Sequence, residues 1–385
     1  MKLSNFTLLT FVLLVSSQVF SQRAKNGDFT VTVSNTLVNT YSALSANANS
    51  GNTSVSVASN TLNGAQFTGN LAQGDLILII QMQGAGVAID WWNGQPGIDG
   101  QTGIPGMDPS LWHQNGHRFG EIDFYYNAGH YELREVLSVA GGNTINLTCG
   151  LENNYESSKH TQIIRVPRFD DLTLNSNTSI IPTLWDGTTG GVVAIEVNGN
   201  LILNSNSFID VSAFGFRGGN AQGTSIVGGT TEHTSGDGNG NTPLGHMNQS
   251  EGGSKGESIA GFVTEYSGVF FYSNFGRGAI ANGGGGGGYQ NAGGGGGSNV
   301  GSGTHTGKGI PTPGYATFWN LELAGFATSV SPGGGRGGYS LAQIDRNESI
   351  VGPNNSTWGG DARKENGGYG GHPLTFATNR LFMGG

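Results

Sequence analysis

The chain has 385 residues, 35% of them hydrophobic and only 11% charged, and it carries 70 glycines. Its formal net charge is -9, with Lys and Arg totalling 17 and scattered along the sequence. That pattern excludes the basic stripe needed to neutralise nucleic-acid phosphates and the basic blocks that hold proteins on anionic membrane surfaces.

The first segment, MKLSNFTLLTFVLLVSSQVFSQ, has one early lysine, Lys2, and an apolar core from Leu8 to Val15. Val19 and Ser21 occupy the small-residue positions of a cleavage site, so residues 1–21 are predicted to be a secretory signal peptide cut after Ser21. The apolar run is too short for a stable span, and no other segment reaches the roughly 18 apolar residues a membrane helix needs. The mature chain is thus expected to be secreted or displayed at the cell surface, with no transmembrane segment. One cysteine, Cys149, rules out an internal disulfide. Lying in the strand-like NLTCGL, it is expected to be a small buried hydrophobe rather than a nucleophile.

Residues 22–169 read as an N-terminal β domain of sandwich or barrel type. FTVTV (29–33) and SVSVA (54–58) alternate with the period of strands. The run Leu76 to Ile80 follows Gly74-Asp75 and is short and β-branched, which favours a buried strand. YELREVLSVA and NTINLTC (131–149) flank Gly141-Gly142-Asn143, a predicted hairpin turn, and TQIIRVPRF (161–169) supplies another strand. Between them, residues 86–130 form a long irregular loop rich in Gly and Pro, a type of segment that is usually functional. No stretch has a sustained 3.6-residue period with caps, so helix content is expected to be small.

From 170 to 219 the strands shorten to LTL, VVAIEV, NLILN and FIDVSA, separated by Asn, Gly and Ser turns. Short strands joined by tight polar turns suggest rungs of a parallel β-helix, with a β-sandwich as the alternative. Asn at the turns fits because it tolerates left-handed backbone. Composition also shifts near Trp185: 18 glycines precede residue 186 and 52 follow.

Residues 220–385 are glycine-rich. Gly283–Gly288 and Gly293–Gly297 form two runs, and GGG recurs at Gly333–Gly335. Isolated runs of this kind are flexible linkers. Here the theme recurs and is punctuated by Tyr289, Arg336, Tyr339, Trp358 and Tyr369, which favours a packed element. Extended glycine helices with three residues per turn leave their backbone groups free to pair with parallel copies, and a six-residue run would span about 18 Å at a rise of about 3.1 Å per residue. The structural set is therefore Gly283, Gly284, Gly285, Gly286, Gly287, Gly288, Gly293, Gly294, Gly295, Gly296, Gly297, Gly333, Gly334 and Gly335, a polyglycine II-type bundle. The fold class is all-β throughout.

GDLILIIQMQGA, INLTCGLENNY, TQIIRVPRFDDLTL, TGGVVAIEVNGNLIL, IDVSAFGFRGG and GGRGGYSLA together resemble a family of large secreted surface proteins of gliding and marine bacteria, the adventurous gliding motility protein-like or glycine-rich cell-surface proteins. The resemblance covers roughly residues 65–385. It implies export, surface display and a part in adhesion or motility, and it supplies no catalytic residues. Members often continue into further repeats and a C-terminal sorting domain. This sequence ends at LFMGG inside a glycine motif, as expected of a truncated chain, which leaves the mode of attachment open.

Candidate chemistry is sparse. His113 and His117 have the i, i+4 spacing of a zinc helix, but Asn115 and Gly116 interrupt it and no Glu follows His113. SGDGNGNT places Asp237, Asn239 and Asn241 like the start of a calcium loop but lacks its sixth-position glycine and closing glutamate. Neither is assigned a metal, and no cofactor is expected. Asp170 and Asp171 are strand neighbours pointing to opposite faces, which does not suit a glycosidase pair, and no G-x-S-x-G elbow occurs. The chain is therefore expected not to be an enzyme. Asp90, Trp91, Trp92, Asn93 and Trp112 in the long loop are the best ligand-binding set. Exposed aromatics stack on the apolar faces of sugar rings, and adjacent polar groups bond their edges. A glycan or protein at the cell surface is the expected partner; the alternative is that these aromatics only pin the loop.

Overall fold

The computed structural model describes residues 23–87, 122–219, 254–262, 280–286, 294–298, 300–301, 371, 374–375 and 379–385. Among them the structure is β throughout apart from one 3-10 turn, Ser157–Lys159. No helix among the described residues is long and apolar enough to cross a membrane.

The chain opens with β1 (Phe29–Val31) and then departs into an antiparallel sheet. Its members are β2 (Thr40–Ala43), β3 (Ser54–Ser56), β4 (Leu76–Gln81), β7 (Tyr131–Ala140), β8 (Thr144–Leu147) and β9 (Thr161–Val166), and a small pair, β5 (Gly86–Val87) and β6 (Ile122–Phe124), lies apart from them. The six strands follow the order β2-β9-β4-β7-β8-β3. The two edges of that sheet meet: Leu44 and Val57 form an antiparallel bridge, and the Ala58 N–H donates to the Ala43 carbonyl at 2.9 Å. This is one sheet curled on itself, not the two facing sheets of a sandwich. The predicted hairpin forms between β7 and β8, with Gly142 and Asn143 at φ +70° and +57°.

The curl explains the apolar run in β4. Ile77 and Ile79 point inward to Val55, Val136, Ile145, Leu147 and Ile163. Leu76, Leu78 and Ile80 point outward into a second core with Trp185, Phe216, Ile259, Ile280 and Met383. A strand buried on both faces needs apolar residues at every position.

At Pro167 the chain passes from the sheet into stacked rungs. They consist of β10 (Arg168–Phe169), β11 (Leu172–Leu174) and β12 (Ser179–Ile180), then β13 (Glu196–Val197), β14 (Leu201–Leu203) and β15 (Phe208–Ile209). All pair in parallel: Arg168 with Glu196, Leu172 with Leu201 and Ser179 with Phe208, a repeat of 28 to 29 residues. Strand β1 is the rung before them, with Phe29 on Leu172 and Val31 on Leu174. The β-helix-like stack therefore begins at Phe29 rather than near residue 170, and the curled sheet is inserted inside its first turn. Phe29 stacks on Phe169 with centroids 5.0 Å apart, and Val31, Val38, Phe169, Leu172, Leu174 and Ile180 form the interior.

Polar ladders hold the register. Asn35, Asn177 and Asn206 adopt left-handed φ of +60°, +63° and +57° at matching turns. Asn206 donates to Asn177 at 3.3 Å, and the Ser34 hydroxyl donates to the Asn177 carbonyl at 3.0 Å. A second ladder runs from Asp28 to the Asp171 amide and from Asp171 to the Asn200 amide. Asx side chains bond local backbone and tolerate this conformation, so they set each corner.

Buried polar groups fasten the inserted sheet to the rungs. Asn39 donates to the Arg165 and Ala194 carbonyls and accepts from the Ala194 amide. Tyr41 donates to the Val192 carbonyl at 2.7 Å. Arg168 pairs with Glu135 of the sheet and Glu196 of the next rung. Cys149 is exposed, contrary to the expected burial: the chain has left β8 before reaching it, so the alternation no longer points it inward.

Candidate functional site

Strands β5 and β6 carry the long loop. Asp90, Trp91, Trp92, Asn93 and Trp112 lie outside the described residues, as do His113, His117, Asp237, Asn239 and Asn241. What is described is the loop's exit, Phe124 to His130, and the C-terminal strap that clamps it.

Phe124 and Tyr126 are 47% and 46% exposed. Their rings lie 5.6 Å apart at 32°. Tyr126 is held at φ +42°, a left-handed conformation uncommon for a bulky residue and maintained only by its surroundings. Those surroundings are identifiable. Arg380 donates from Nη2 to the Tyr126 carbonyl at 2.7 Å and from Nη1 to the Ala128 carbonyl. Tyr125 turns inward onto Phe382, centroids 5.1 Å apart. The Leu381 amide bonds the Gly129 carbonyl, and the Gly129 amide bonds Gln81 of β4. Asn127 donates to Glu156 at 3.0 Å.

This arrangement offers two exposed, tilted ring faces on a turn that Arg380 and Asn127 hold in place. Exposed ring faces of this kind suit the apolar side of a sugar. His130, on the same turn, has its pKa lowered, first by burial and then by Arg380.

Of the glycine set, Gly283–Gly286 and Gly294–Gly297 are described; Gly287, Gly288, Gly293 and Gly333–Gly335 lie outside. Four of the described ones, Gly284, Gly285, Gly295 and Gly296, are hydrogen-bonded across segments. The Gly256 amide donates to the Gly284 carbonyl at 2.7 Å, Gly295 to Gly285 at 2.8 Å and Gly371 to Gly296 at 2.9 Å. A Cβ on Gly283 would stand 2.6 Å from the Gly256 carbonyl oxygen, and one on Gly284 would overlap the Gly295 carbonyl. Side chains are excluded there by neighbouring backbone.

Two polar residues, neither of them part of a recognisable motif, organise this region. Buried Asn282 accepts from the Ile259 amide at 2.9 Å and donates to the Ser298 and Met383 carbonyls. Buried Glu257 accepts from Gln83, Trp185 and Arg217. Glu257 thus joins the inserted sheet, the rung wall and the glycine segments. The available signal was a lone amide opening a glycine run, ANGGGG.

The carboxylates of the rungs serve the stack. Asp170 accepts from Asn198 and Asp171 from Asn200. Asp186 accepts from the Thr188 and Thr189 amides.

No protein-family model and no curated protein matches the chain. Among solved structures it is similar to the Gp54 tailspike of Acinetobacter baumannii bacteriophage AP22, solved with a capsular saccharide. That match has 16% identity, covers 47% of this chain and 24% of that one, and has a TM-score of 0.20. The tailspike gp61 of Pseudomonas phage phi297 matches at 14% identity over 48% of this chain and 25% of that one, with a TM-score of 0.18. The chain spans about a quarter of the length of the tailspikes it matches. At these scores the likeness carries no argument about mechanism. The class, an all-β protein with a β-helix-like stack, rests on the strand pairing.

Proposed function

We propose that this is an exported cell-surface structural and adhesive protein that binds glycans through the loop at 86–130 and does not turn them over. The observation that carries the reading is the exposed Phe124–Tyr126 pair, fixed by Arg380 at the exit of a loop whose sequence holds Trp91, Trp92 and Trp112. Export rests on the leader sequence, and a link to surface attachment or gliding rests on the family resemblance. The glycine segments act in this reading as a polyglycine II-type bundle that stiffens the display scaffold. Absence of turnover is inferred from the engagement of Asp170, Asp171 and Glu196 in bonds between rungs and of Glu135 in a bond from the sheet to Arg168, which leaves them poorly placed as a paired acid and base.

The test is binding of the mature chain to a panel of bacterial polysaccharides and to intact cells. Phe124→Ala/Tyr126→Ala and Trp91→Ala/Trp92→Ala are each expected to weaken binding about tenfold, since each removes two stacking aromatics worth about 0.5–1.5 kcal/mol apiece. Unchanged binding in both variants would overturn the glycan site, and release of new reducing ends from any polysaccharide would overturn the non-enzymatic reading.

A further inference from the structure

His130 sits where the exit of the long loop meets the C-terminal strap. Its backbone is fixed on both sides: the amide donates to the Asn127 carbonyl at 3.1 Å, and the carbonyl accepts from the Gln81 amide at 3.0 Å. The carbonyl of the preceding residue, Gly129, accepts from the Leu381 amide at 2.9 Å, and that of Ala128 accepts from Arg380. A Cβ on Gly129 would stand 2.5 Å from the Phe382 ring, so strap and turn touch along these positions.

The ring of His130 is placed for its neutral form. Its Nδ1 atom is buried and has no hydrogen-bond partner. A neutral imidazole can leave one nitrogen bare, whereas the imidazolium carries a proton on both and donates from each. A buried donor with no acceptor is costly. The charged groups around the ring do not offset that cost. Arg380 opposes a second positive charge from the strap, and Glu132 of β7 favours one. Glu132, however, already accepts from the Glu152 and Asn153 amides and pairs with Arg134. Glu156, bonded to the same turn, accepts from Asn127. Tyr125 presents its ring to Arg380 at 5.6 Å, and the hydrogen bonds of Arg380 among the described residues go to carbonyls.

We propose that His130 is a pH-sensitive latch: when it takes up a proton its ring repels Arg380, and the front of the strap, Arg380 and Leu381, parts from the turn. His130 itself is held back by its bonds to Asn127 and β4. The far end of the strap stays in place, since Met383 is buried in the core and the Gly385 amide donates to Ser298. Without Arg380, Tyr126 loses the bond to its carbonyl that maintains φ +42°, and the Phe124–Tyr126 pair loses its fixed geometry. Loss of glycan on acidification follows, and that consequence alone rests on the function proposed above. The direction comes from linkage. The pKa of His130 is lowered from 6.5 while the strap is clamped and returns toward it on release. The clamp is therefore complete above pH 6.5 and is lost as the pH falls through the lowered value.

Amide hydrogen exchange on the mature chain at about pH 7 and about pH 5, the interval in which histidine takes its charge, tests this, each rate being compared with coil at the same pH. Protection at Leu381 is expected to fall severalfold at the lower pH, while Gly385 and Ser298 keep theirs. In His130→Gln, neutral at both pH values, protection at Leu381 is expected to hold level. An NMR titration of the His130 ring in the wild-type chain is expected to share its midpoint with the change at Leu381, which keeps the test decisive if the variant does not fold. Equal loss at Leu381 in both chains, no loss in the wild type, or a midpoint apart from that of the ring would overturn the latch. Loss of protection at Leu381 with polysaccharide binding unchanged would support the latch and count instead against the ring pair as the binding site.

Discussion

At the scale of single residues, the buried polar groups show how a chain with few charges fixes its geometry. Arg165 donates to the Leu62 and Gly69 carbonyls and to Asp75, and lies 4.0 Å over Phe67. Asp75 also pairs with Lys25 and caps the Ala72 amide. Buried ions are tolerated only when paired and bonded in this way. Tyr41 is the titratable counterpart. Burial pushes its hydroxyl from 10.0 up to about 12, so folding favours the protonated form. Its contribution is fully present below pH 10 and is lost as the pH rises toward about 12. The urea midpoint should therefore hold steady to pH 10 and then decline, and Tyr41→Phe should make that decline shallower. An identical pH profile in the variant would show that the hydroxyl is not buried as described.

At the scale of elements, the strands were legible and their grouping was not. Alternation marked FTV and a short apolar run marked LILIIQ, strands that bury one face or both; short runs between polar turns marked LTL, which is buried, and LIL, which is exposed. These signals could not show that Phe29–Val31 stacks on Leu172–Leu174, because the inserted sheet separates two turns of one stack and hides the repeat. The loop could be recognised as a candidate site from its tryptophans, but Arg380, which holds Tyr126, is distant in sequence and has no local signature. Glycine runs are ambiguous in sequence because a linker and a packed segment have the same composition. Close backbone contact separates them. Gly284→Ala should lower stability by about 1–3 kcal/mol, the usual range for overpacking a filled site. Gly218→Ala, where an added Cβ meets nothing within 4 Å, should change it by no more than about 0.5 kcal/mol. Equal effects in thermal denaturation of the two variants would count against backbone packing.

At the scale of the whole molecule, three parts share one core. The outer face of β4, the rung wall at Trp185 and Phe216, and the segments at Ile259 and Ile280 meet in a single apolar cluster, and Glu257, beside Ile259, bonds Gln83 at the end of β4 and Trp185 and Arg217 of the rung side. The C-terminal strap closes the assembly: the Gly385 amide donates to Ser298 and the Phe216 amide to Gly384. In the proposed function a scaffold fastened in this way presents the loop at a fixed place. The most direct test of that claim is backbone amide hydrogen exchange on the mature chain, read at Gly256, Gly283, Gly295, Ser298, Gly371 and Gly385. Each of these amides donates to a neighbouring carbonyl, so protection far beyond coil values is predicted there, comparable to that of the rung strands. Exchange at coil rates across these positions would mean that the glycine segments are linkers, and would contradict the scaffold.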